Sequence, residues 1–328
     1  MSQASGLHVP VMLPEVLGAL SPKDNAYYLD ATFGNGGYSS AILDSANCHL
    51  AAIDRDPDAI ARGQAKMASY GSRFLLLQGT FGNLSSLIQE TDFSQLDGIV
   101  FDLGVCSTQL DEAARGFSFM RDGPLDMRMS KSGLSAADIV NDASETKLAD
   151  IIWRYGEDRA SRRIARAIIK ARESAPITTT LALADIVRSV LPRPKPGQSD
   201  PATRTFQALR IEVNDELREI EDALSAAEAV LKPGGLLVVV SFHSLEDRLV
   251  KQFLTPRSGR GARPSRHLPD TIAQPASFEL ISRKAIAASP QEAASNPRAR
   301  SAKLRAARRT DAPVWQRDAT ANHHQMEA

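Results

Sequence analysis

The chain has 328 residues, 43% of them apolar and 24% charged, and its 39 basic residues equal its 39 acidic residues in number. This composition is that of a folded protein long enough for two domains, and it argues against a fibre or a disordered chain. Only two cysteines occur, Cys48 and Cys106, which excludes a disulfide framework and a cysteine zinc site and favours a reducing compartment. Without an apolar run of about 18 residues or a signal-like amino terminus, we expect a cytoplasmic protein that binds no membrane and no metal.

The first half of the chain alternates short apolar runs with helical patterns. Four of the runs have the length of strands, and they lie at 28–30, 49–53, 74–78 and 98–101. A short helix at 15–20 precedes them, and helices are predicted at 38–46 and 57–70. Strands that alternate with helices form parallel sheets, so the predicted fold class is α/β, a doubly wound sheet of the Rossmann-like kind.

Polar or small residues stand where the predicted strands end. The first strand leads into a turn with Gly36 and Gly37, where larger side chains would block a ligand. The second delivers Asp54, 17 residues past Gly37, at about the distance from which a carboxylate reaches ribose hydroxyls. Phe81 follows the third strand, where its ring either covers an adenine or packs in the core. Asp102 ends the fourth strand. Because parallel strands share one carboxyl edge, the sequence predicts a nucleotide site there.

The alternating pattern stops near residue 111 and resumes near residue 210. Helices are predicted between these points at 135–142, 145–155, 158–173 and 178–190, followed by a proline-rich linker at 192–197. We therefore predict a core made of 1–110 and 210–328, interrupted by an inserted helical domain at 111–209.

The last part of the chain returns to the sheet pattern. A long helix is predicted over 206–231, stopped by Lys-Pro-Gly-Gly at 232–235, and an apolar strand follows at 236–240. His243 stands just past that strand, which makes it a better functional candidate than His8, His323 or His324. Further on we expect an irregular basic loop at 255–276, a closing hairpin from 278–286 and 302–308, and a disordered tail of about fifteen residues.

Basic residues are segregated although the net charge is zero. Between 154 and 172 there are seven basic residues against two acidic ones, and between 251 and 309 there are thirteen against three. Most charge runs are solvated faces, but arginine dominates here and guanidinium groups bind phosphate bidentately. These stretches favour contact with a polyanion, and the RNA-binding candidates on the 158–173 helix are Arg162, Arg163 and Arg166.

Seven stretches are long and specific enough to indicate a family. Three lie in the first half: Asp30-Ala-Thr-Phe-Gly-Asn-Gly-Gly, Ala52-Ile-Asp-Arg-Asp-Pro and Asp102-Leu-Gly-Val. The others are Arg115-Gly-Phe-Ser-Phe-Met-Arg-Asp-Gly-Pro-Leu-Asp-Met-Arg-Met, Pro201-Ala-Thr-Arg-Thr-Phe-Gln-Ala-Leu-Arg-Ile, Ser241-Phe-His-Ser-Leu-Glu-Asp-Arg and Asn296-Pro-Arg-Ala-Arg-Ser. Together, from about His8 to Arg309, they resemble the ribosomal RNA small-subunit methyltransferase H family, also called MraW.

The resemblance implies a class I S-adenosylmethionine-dependent methyltransferase sheet with an inserted helical domain. It implies methylation of the exocyclic 4-amino nitrogen of a decoding-centre cytidine, cytidine 1402, in 16S ribosomal RNA, with the small ribosomal subunit as partner. The family's cofactor positions fall on Gly36, Gly37, Tyr38, Asp54, Phe81, Asp102 and Gln109. From the chemistry of a poorly nucleophilic amino nitrogen, the catalytic candidates are Asp102, where the carboxylate or nearby backbone carbonyls would hold the amino hydrogens, and His243, which would assist but is not required. Arg128 lies in a loop expected either to line the cytidine pocket or only to pack the domains together.

The chain departs from the family pattern at Tyr38 and Asp200, where histidine is frequent, and at Cys106, where serine is frequent. Tyr38 leaves the backbone amides of the turn intact, so cofactor binding should survive. Cys106 raises a rival chemistry, carbon-5 methylation of cytosine through a thiolate adduct. Two other classes of protein stay open. One is a nicotinamide-dependent oxidoreductase, although the chain lacks the G-x-G-x-x-G motif of that class, and the other is a non-catalytic RNA-binding assembly factor. The oligomeric state, including a homodimer, is also open.

Overall fold

The computed structural model of the protein describes residues 10–260 and 274–316, and these form two compact units. The first, here called the sheet unit, contains the described residues of 1–54, 59–103 and 218–328. The second, here called the helical unit, contains residues 55–58 and 104–217. The four residues that follow the second strand thus group with the helical unit, a long-range association that local periodicity does not reveal.

The described strands all belong to the sheet unit and form one sheet. They are β1 (Tyr27–Asp30), β2 (His49–Asp54), β3 (Phe74–Gln78), β4 (Leu96–Asp102), β5 (Leu231–Ser241), β6 (Phe278–Leu280), β7 (Ile286–Ala287) and β8 (Lys303–Arg309). Their order is β3-β2-β1-β4-β5-β8-β6, and β7 also pairs with β8. The first five strands in this order are parallel, whereas β8 is antiparallel to β5, β6 and β7. The predicted α/β class with a mainly parallel, Rossmann-like sheet is confirmed.

The α-helices of the described residues connect the strands or build the helical unit. They are α1 (Leu13–Leu20), α2 (Gly37–Ser45), α3 (Pro57–Lys66), α4 (Leu84–Ile88), α5 (Ser107–Asp111), α6 (Ala136–Asp142), α7 (Glu145–Gly156), α8 (Ser161–Arg172), α9 (Thr180–Val190), α10 (Thr203–Asn214), α11 (Glu216–Val230), α12 (Ser244–Arg257) and α13 (Pro290–Ser295). Within the described ranges, no helix combines the length and apolar character needed to cross a bilayer.

The strand order explains where a ligand site should lie. From β1 the chain moves outward through β2 to β3 and then returns to place β4 on the other side of β1. The reversal between β1 and β4 is a topological switch point, outside which the carboxyl ends of the strands leave a crevice. Asp30 ends β1, and Asp102 ends β4. Two carboxylates therefore flank the position where doubly wound sheets bind ligands.

Two predictions near residue 231 are wrong. The predicted long helix is two helices, because Asp215 adopts a left-handed φ of 51° that ends α10 before α11 begins. The strand begins at Leu231 rather than at 236, since Leu231 pairs with Leu96 before the register shifts to Leu236 and Gly98. The residues 232–235 are thus an irregularity inside β5 rather than a helix terminator.

Each unit has its own apolar core. Helix α8 shows how the helical unit forms: Ile164, Ala165 and Ile168 are buried at helical spacing among other apolar residues. In the sheet unit, residues of β1, β2, β4 and β5 pack against α1 and α2. The predicted closing hairpin is present, since β6 and β7 both pair with β8. His8, His323, His324 and residues 261–273 and 317–328, which include most of the predicted basic loop and tail, lie outside the described residues.

Candidate active site

The glycine turn after β1 is held in place from several directions. Gly34 N donates a hydrogen bond to Asp54 Oδ2 at 2.7 Å, and Lys66 Nζ donates to Asn35 O at 2.6 Å. Gly36 has a φ of 69°, and a Cβ atom there would lie 2.7 Å from the ring of Phe33. Glycine is therefore required at this position both for its backbone conformation and for space. The turn exposes the amino end of α2, whose first N–H groups have no partner within the helix.

Tyr38 occupies the first turn of α2 with its side chain buried. Its hydroxyl donates to Val11 O, and burial raises the pKa of the phenol well above its usual range. A Cβ at Gly37 would collide with the ring of Pro10, so the segment 10–12 packs directly against the glycine turn. The side chain of Tyr38 thus anchors the segment 10–12. The cofactor contact predicted at position 38 would therefore be made by the backbone of this residue.

Asp54 and Phe81 stand at the ends of neighbouring strands. Asp54 ends β2, and its carbonyl accepts a hydrogen bond from Gly79 N at 2.9 Å, just after β3. Phe81 begins the short turn that follows, where its ring is half-buried and meets Phe101 edge-on with the centroids 6.0 Å apart. One carboxylate and one aromatic ring are thereby fixed at adjacent strand ends.

Asp30, which is buried, and Asp102, which is half-buried, form an acidic pair beside the switch point. Asp30, which is 1% exposed, accepts hydrogen bonds from Ser39 Oγ at 2.7 Å and from Thr32 N at 3.2 Å. Asp102 N donates to Thr32 Oγ1 at 2.6 Å. Oδ1 of Asp102 is shielded from solvent, and none of the described residues donates a hydrogen bond to it. Burial, followed by the charges of Asp30 and Glu246, raises the pKa of Asp102 well above its usual range.

Such a pair favours a positively charged or hydrogen-bond-donating ligand. Burial disfavours the charged form and is the main reason that both pKa values rise; the charge of Asp54 adds to the rise at Asp30, and the charge of Asp30 adds to the rise at Asp102. A cationic group or an N–H donor placed against the two carboxylates would offset their desolvation and their mutual repulsion. Asp30 was not among the residues predicted from sequence. The signal that could have identified it is its place at the end of the first apolar run, next to the glycines.

Asp30 gives a pH dependence whose sign follows from its burial. Chiefly because of burial, its pKa is about 6 in the folded protein, against the ordinary value of 3.8. The folded state holds this proton more tightly than the unfolded state, so the contribution to stability is complete below about pH 4 and is lost as the pH rises through about 6.

We expect the substitution Asp30→Asn, which keeps the side chain neutral, to change stability differently at different pH. Relative to the wild type, it should raise the free energy of unfolding by on the order of 2 kcal/mol more at about pH 7.5 than at about pH 4.5. Urea unfolding of both ligand-free proteins at the two pH values measures this difference. Equal effects of the substitution at both pH values would contradict the prediction.

His243 lies at the end of β5, but its side chain is the amino-terminal cap of α12. Its Nδ1 accepts from Glu246 N at 3.5 Å, and its Nε2 lies 3.0 Å from Glu246 Oε1. In return, Oε2 of Glu246 accepts hydrogen bonds from the backbone of Phe242 and His243. This reciprocal arrangement is a capping box. The structure therefore gives His243 a structural role, and its predicted catalytic role stays a prediction.

Cys106 and Gln109 lie in the helical unit at the start of α5. Gln109 Oε1 accepts from Cys106 N at 3.0 Å, and Gln109 Nε2 donates to Asp56 Oδ2 at 2.8 Å. Cys106 Sγ is 3.2 Å from Thr108 Oγ1. The amide of Gln109 thus forms hydrogen bonds at both ends within the protein, and its predicted contact with a cofactor stays a prediction.

A buried ionic network that sequence reasoning missed organises the helical unit. Asp56, 1% exposed, accepts from Arg115 at 2.7 Å as well as from Gln109. The other terminal nitrogen of Arg115 donates to the carbonyls of Arg128 and Met129, both at 3.0 Å. Arg115 therefore joins the residues just after β2 to the segment 128–129. Its only sequence signal is that it opens the longest of the family motifs.

The arginines proposed for RNA contact differ in their surroundings. Arg128 binds Asp126 through two nitrogens, at 3.0 and 2.7 Å, and donates to Gly133 O. On α8, Arg162 and Arg163 are exposed, and Arg166 is exposed with Glu145 3.6 Å away. The guanidinium groups of α8 are thus presented to solvent, whereas Arg128 is largely engaged within its own loop.

Comparisons with known proteins agree on one family. The model of the MraW methylase family matches residues 5–310. The ribosomal RNA small subunit methyltransferase H of Paramagnetospirillum magneticum is 58% identical over 311 residues, which cover 94% of this chain and 98% of that one. The protein of the same name from Azorhizobium caulinodans is 58% identical over 307 residues, covering 94% and 88% of the two chains. That of Rhodopseudomonas palustris is 56% identical over 314 residues, covering 96% and 94%.

Proposed function

This chain belongs to the MraW methylase family, and from that premise we propose that it methylates the exocyclic 4-amino nitrogen of a cytidine, cytidine 1402, in 16S ribosomal RNA. The methyl donor is S-adenosylmethionine, and the small ribosomal subunit is the partner. The observation that carries the proposal is the acceptor at the end of β4, Oδ1 of Asp102, to which no described residue donates. The names of the relatives support ribosomal RNA as the substrate class.

The residues at the carboxyl edge of the sheet suit this methyl donor. Asp54 at the end of β2 would accept hydrogen bonds from ribose hydroxyls, and Phe81 would cover the adenine. The acidic pair Asp30 and Asp102 suits the positive charge of an amino-acid ammonium group, because a cation relieves the repulsion between the two carboxylates. Glycine at position 36 lets the turn adopt its left-handed backbone beside Phe33.

When bound, S-adenosylmethionine supplies an electrophilic methyl group on a sulfonium. The protein has to raise the nucleophilicity of a cytosine amino nitrogen, whose lone pair is delocalised into the ring. Asp102, as a buried acceptor, would accept a hydrogen bond from that amino group and favour a tetrahedral nitrogen. The extra proton leaves after transfer, so no strong base is required, and Oδ1 of Asp102 is shielded from bulk solvent. Positioning of this kind supplies much of the rate of a two-substrate reaction.

Methylation assays on defined substrates test the proposal directly. Small subunits from cells lacking this protein would be incubated with the purified protein and isotopically labelled S-adenosylmethionine, and the RNA then digested to nucleosides. We expect label in N4-methylcytidine from one position of 16S RNA, identified by mass mapping. Label in 5-methylcytidine, or no label in RNA, would contradict the proposal. Naked 16S RNA in parallel shows whether an assembled subunit is needed.

Replacement of Cys106 distinguishes the two cytosine chemistries. A carbon-5 enzyme needs a thiolate that adds to the ring, so loss of that sulfur abolishes turnover. The Sγ atom instead lies beside Thr108 Oγ1 at the start of α5. We expect Cys106→Ser to retain kcat and KM close to those of the wild type in the labelled assay. An inactive variant, together with a covalent complex trapped on 5-fluorocytidine RNA by the wild type, would support the carbon-5 reaction.

The exposed arginines of α8 are proposed to bind RNA phosphates. Each neutralised phosphate releases counterions, so the logarithm of affinity falls with the logarithm of salt by about 0.7 to 0.9 per contact. We expect the triple variant with Arg162, Arg163 and Arg166 changed to Glu to lose at least about one such unit of slope. Filter binding at several salt concentrations measures it, with Arg218→Glu on α11, an exposed arginine outside both basic stretches, as the control. An unchanged slope would remove α8 from the RNA surface.

A further inference from the structure

We propose that Glu219 is a positioning residue that fixes the turn carrying Phe81 and thereby sets the affinity for the adenosyl group of the methyl donor. The inference rests on the proposed function, because it assigns to Phe81 a contact with that group. Glu219 lies on α11 and is half-buried, and its Oε2 accepts a hydrogen bond from Gly82 N at 2.9 Å. The carboxylate of a helix thus binds the backbone immediately after the aromatic ring.

Among the described residues, the other hydrogen bonds of the turn join it to β2, to itself and to the start of α4. Gly79 N donates to Asp54 O at 2.9 Å, which ties the start of the turn to the end of β2. Asn83 closes the turn on itself, since its N and Nδ2 donate to the carbonyl and the hydroxyl of Thr80 at 3.0 Å each. Phe81 lies between these points. Leu84 N, at the start of α4, donates to Phe81 O, and the bond to Glu219 joins the middle of the turn to a second helix, α11.

The close approach of Glu219 depends on glycine at position 82. A Cβ atom there would lie 2.6 Å from Glu219 Oε2, closer than real Cβ contacts, and 3.1 Å from its carboxyl carbon, so the carboxylate would have to move. An ionised carboxylate bound to a backbone amide is a charge-assisted hydrogen bond, which is shorter and stronger than a neutral one. Two features of the sequence, the acid on α11 and the small residue in the turn, thus combine in one contact.

This contact matters because the ring of Phe81 is only partly held by packing. The ring is half-buried, and its described aromatic neighbour is Phe101, which it meets at 83°. A ring that stacks on a base must keep its orientation before the ligand arrives, or binding has to supply the cost of ordering it. Glu219 supplies that order without touching the ligand. Its loss should weaken donor binding and leave the chemical step intact.

Titration calorimetry with S-adenosylhomocysteine tests the inference on the full chain. We expect Glu219→Ala to raise Kd, and the KM for S-adenosylmethionine, by about tenfold, with kcat at saturating donor and the KM for RNA unchanged. Glu219→Gln keeps an acceptor oxygen and should restore most of the affinity. Glu221→Ala, an exposed acid on the same helix, is the matched control and should bind like the wild type.

Gly82→Ala provides a second approach, because its Cβ displaces the carboxylate while Glu219 stays in place. It should weaken donor binding as Glu219→Ala does. Wild-type affinity in both variants, or equal losses in donor affinity, RNA affinity and kcat that follow a loss of stability, would overturn the positioning role. A wild type that binds no S-adenosylhomocysteine would instead refute the proposed function, so the two failures are distinguishable.

Discussion

Replacing Asp102 by asparagine should lower kcat/KM for methyl transfer by about 10²- to 10³-fold, the usual cost of removing one preorganised electrostatic contact. The amide has nearly the same shape, but it replaces one acceptor oxygen by a donor and removes the negative charge. The same change should not lower the free energy of unfolding. Burial and the nearby charges of Asp30 and Glu246 raise the pKa of Asp102, so the ionised carboxylate costs the folded protein stability.

Asp97→Asn is the matched control for this prediction. Asp97 lies near the opposite end of β4, where its carboxylate binds Tyr27 N and Lys232 Nζ, both at 2.9 Å. It should keep kcat/KM near the wild-type value while changing stability modestly. Steady-state methylation and urea unfolding of both variants separate the two effects. If Asp102→Asn stayed within about tenfold of wild-type activity, or lost activity only in proportion to stability, its role at the site would be wrong.

The largest loss of stability is expected from Arg115→Met. This change leaves Asp56 buried without its guanidinium partner and also removes the hydrogen bonds to the carbonyls of Arg128 and Met129. Breaking one side of a buried ion pair costs about 3–5 kcal/mol. Urea unfolding in a Trp315→Phe background measures it, since Trp153 then reports on the helical unit as the remaining tryptophan. The exposed Arg154→Met should change the free energy of unfolding by less than about 0.5 kcal/mol.

A double-mutant cycle tests whether the ion pair itself carries this effect. Adding Asp56→Asn to Arg115→Met removes the buried charge that has lost its guanidinium partner, so the double variant should be more stable than the single variant Arg115→Met. Gln109 can still donate to the amide oxygen at position 56. Strictly additive effects of the two substitutions would show that Arg115 acts through packing rather than through Asp56.

Local patterns allowed much of the fold to be predicted. Apolar runs with strand length, separated by helical periodicity, indicated the parallel strands β1 to β4 and the four helices α6 to α9. The split between α10 and α11 was missed because Asp215 adopts a left-handed conformation that its residue type permits but does not announce. The early start of β5 was missed because it depends on pairing between Leu231 and Leu96, which are far apart in the chain.

The sequence by itself determined which strands end in carboxylates, where the chain turns through glycine, and, through its long motifs, the methylase family. It could not determine what each polar side chain binds. Only the tertiary structure decided that Asp30 pairs with Asp102, that Gln109 and Arg115 converge on Asp56, that His243 caps a helix, and that Glu219 reaches Gly82. The physical reason is the separation along the chain over which each effect acts. Backbone periodicity is set by neighbours a few residues apart, whereas burial, desolvation and hydrogen bonding depend on groups that folding brings together from distant parts of the chain.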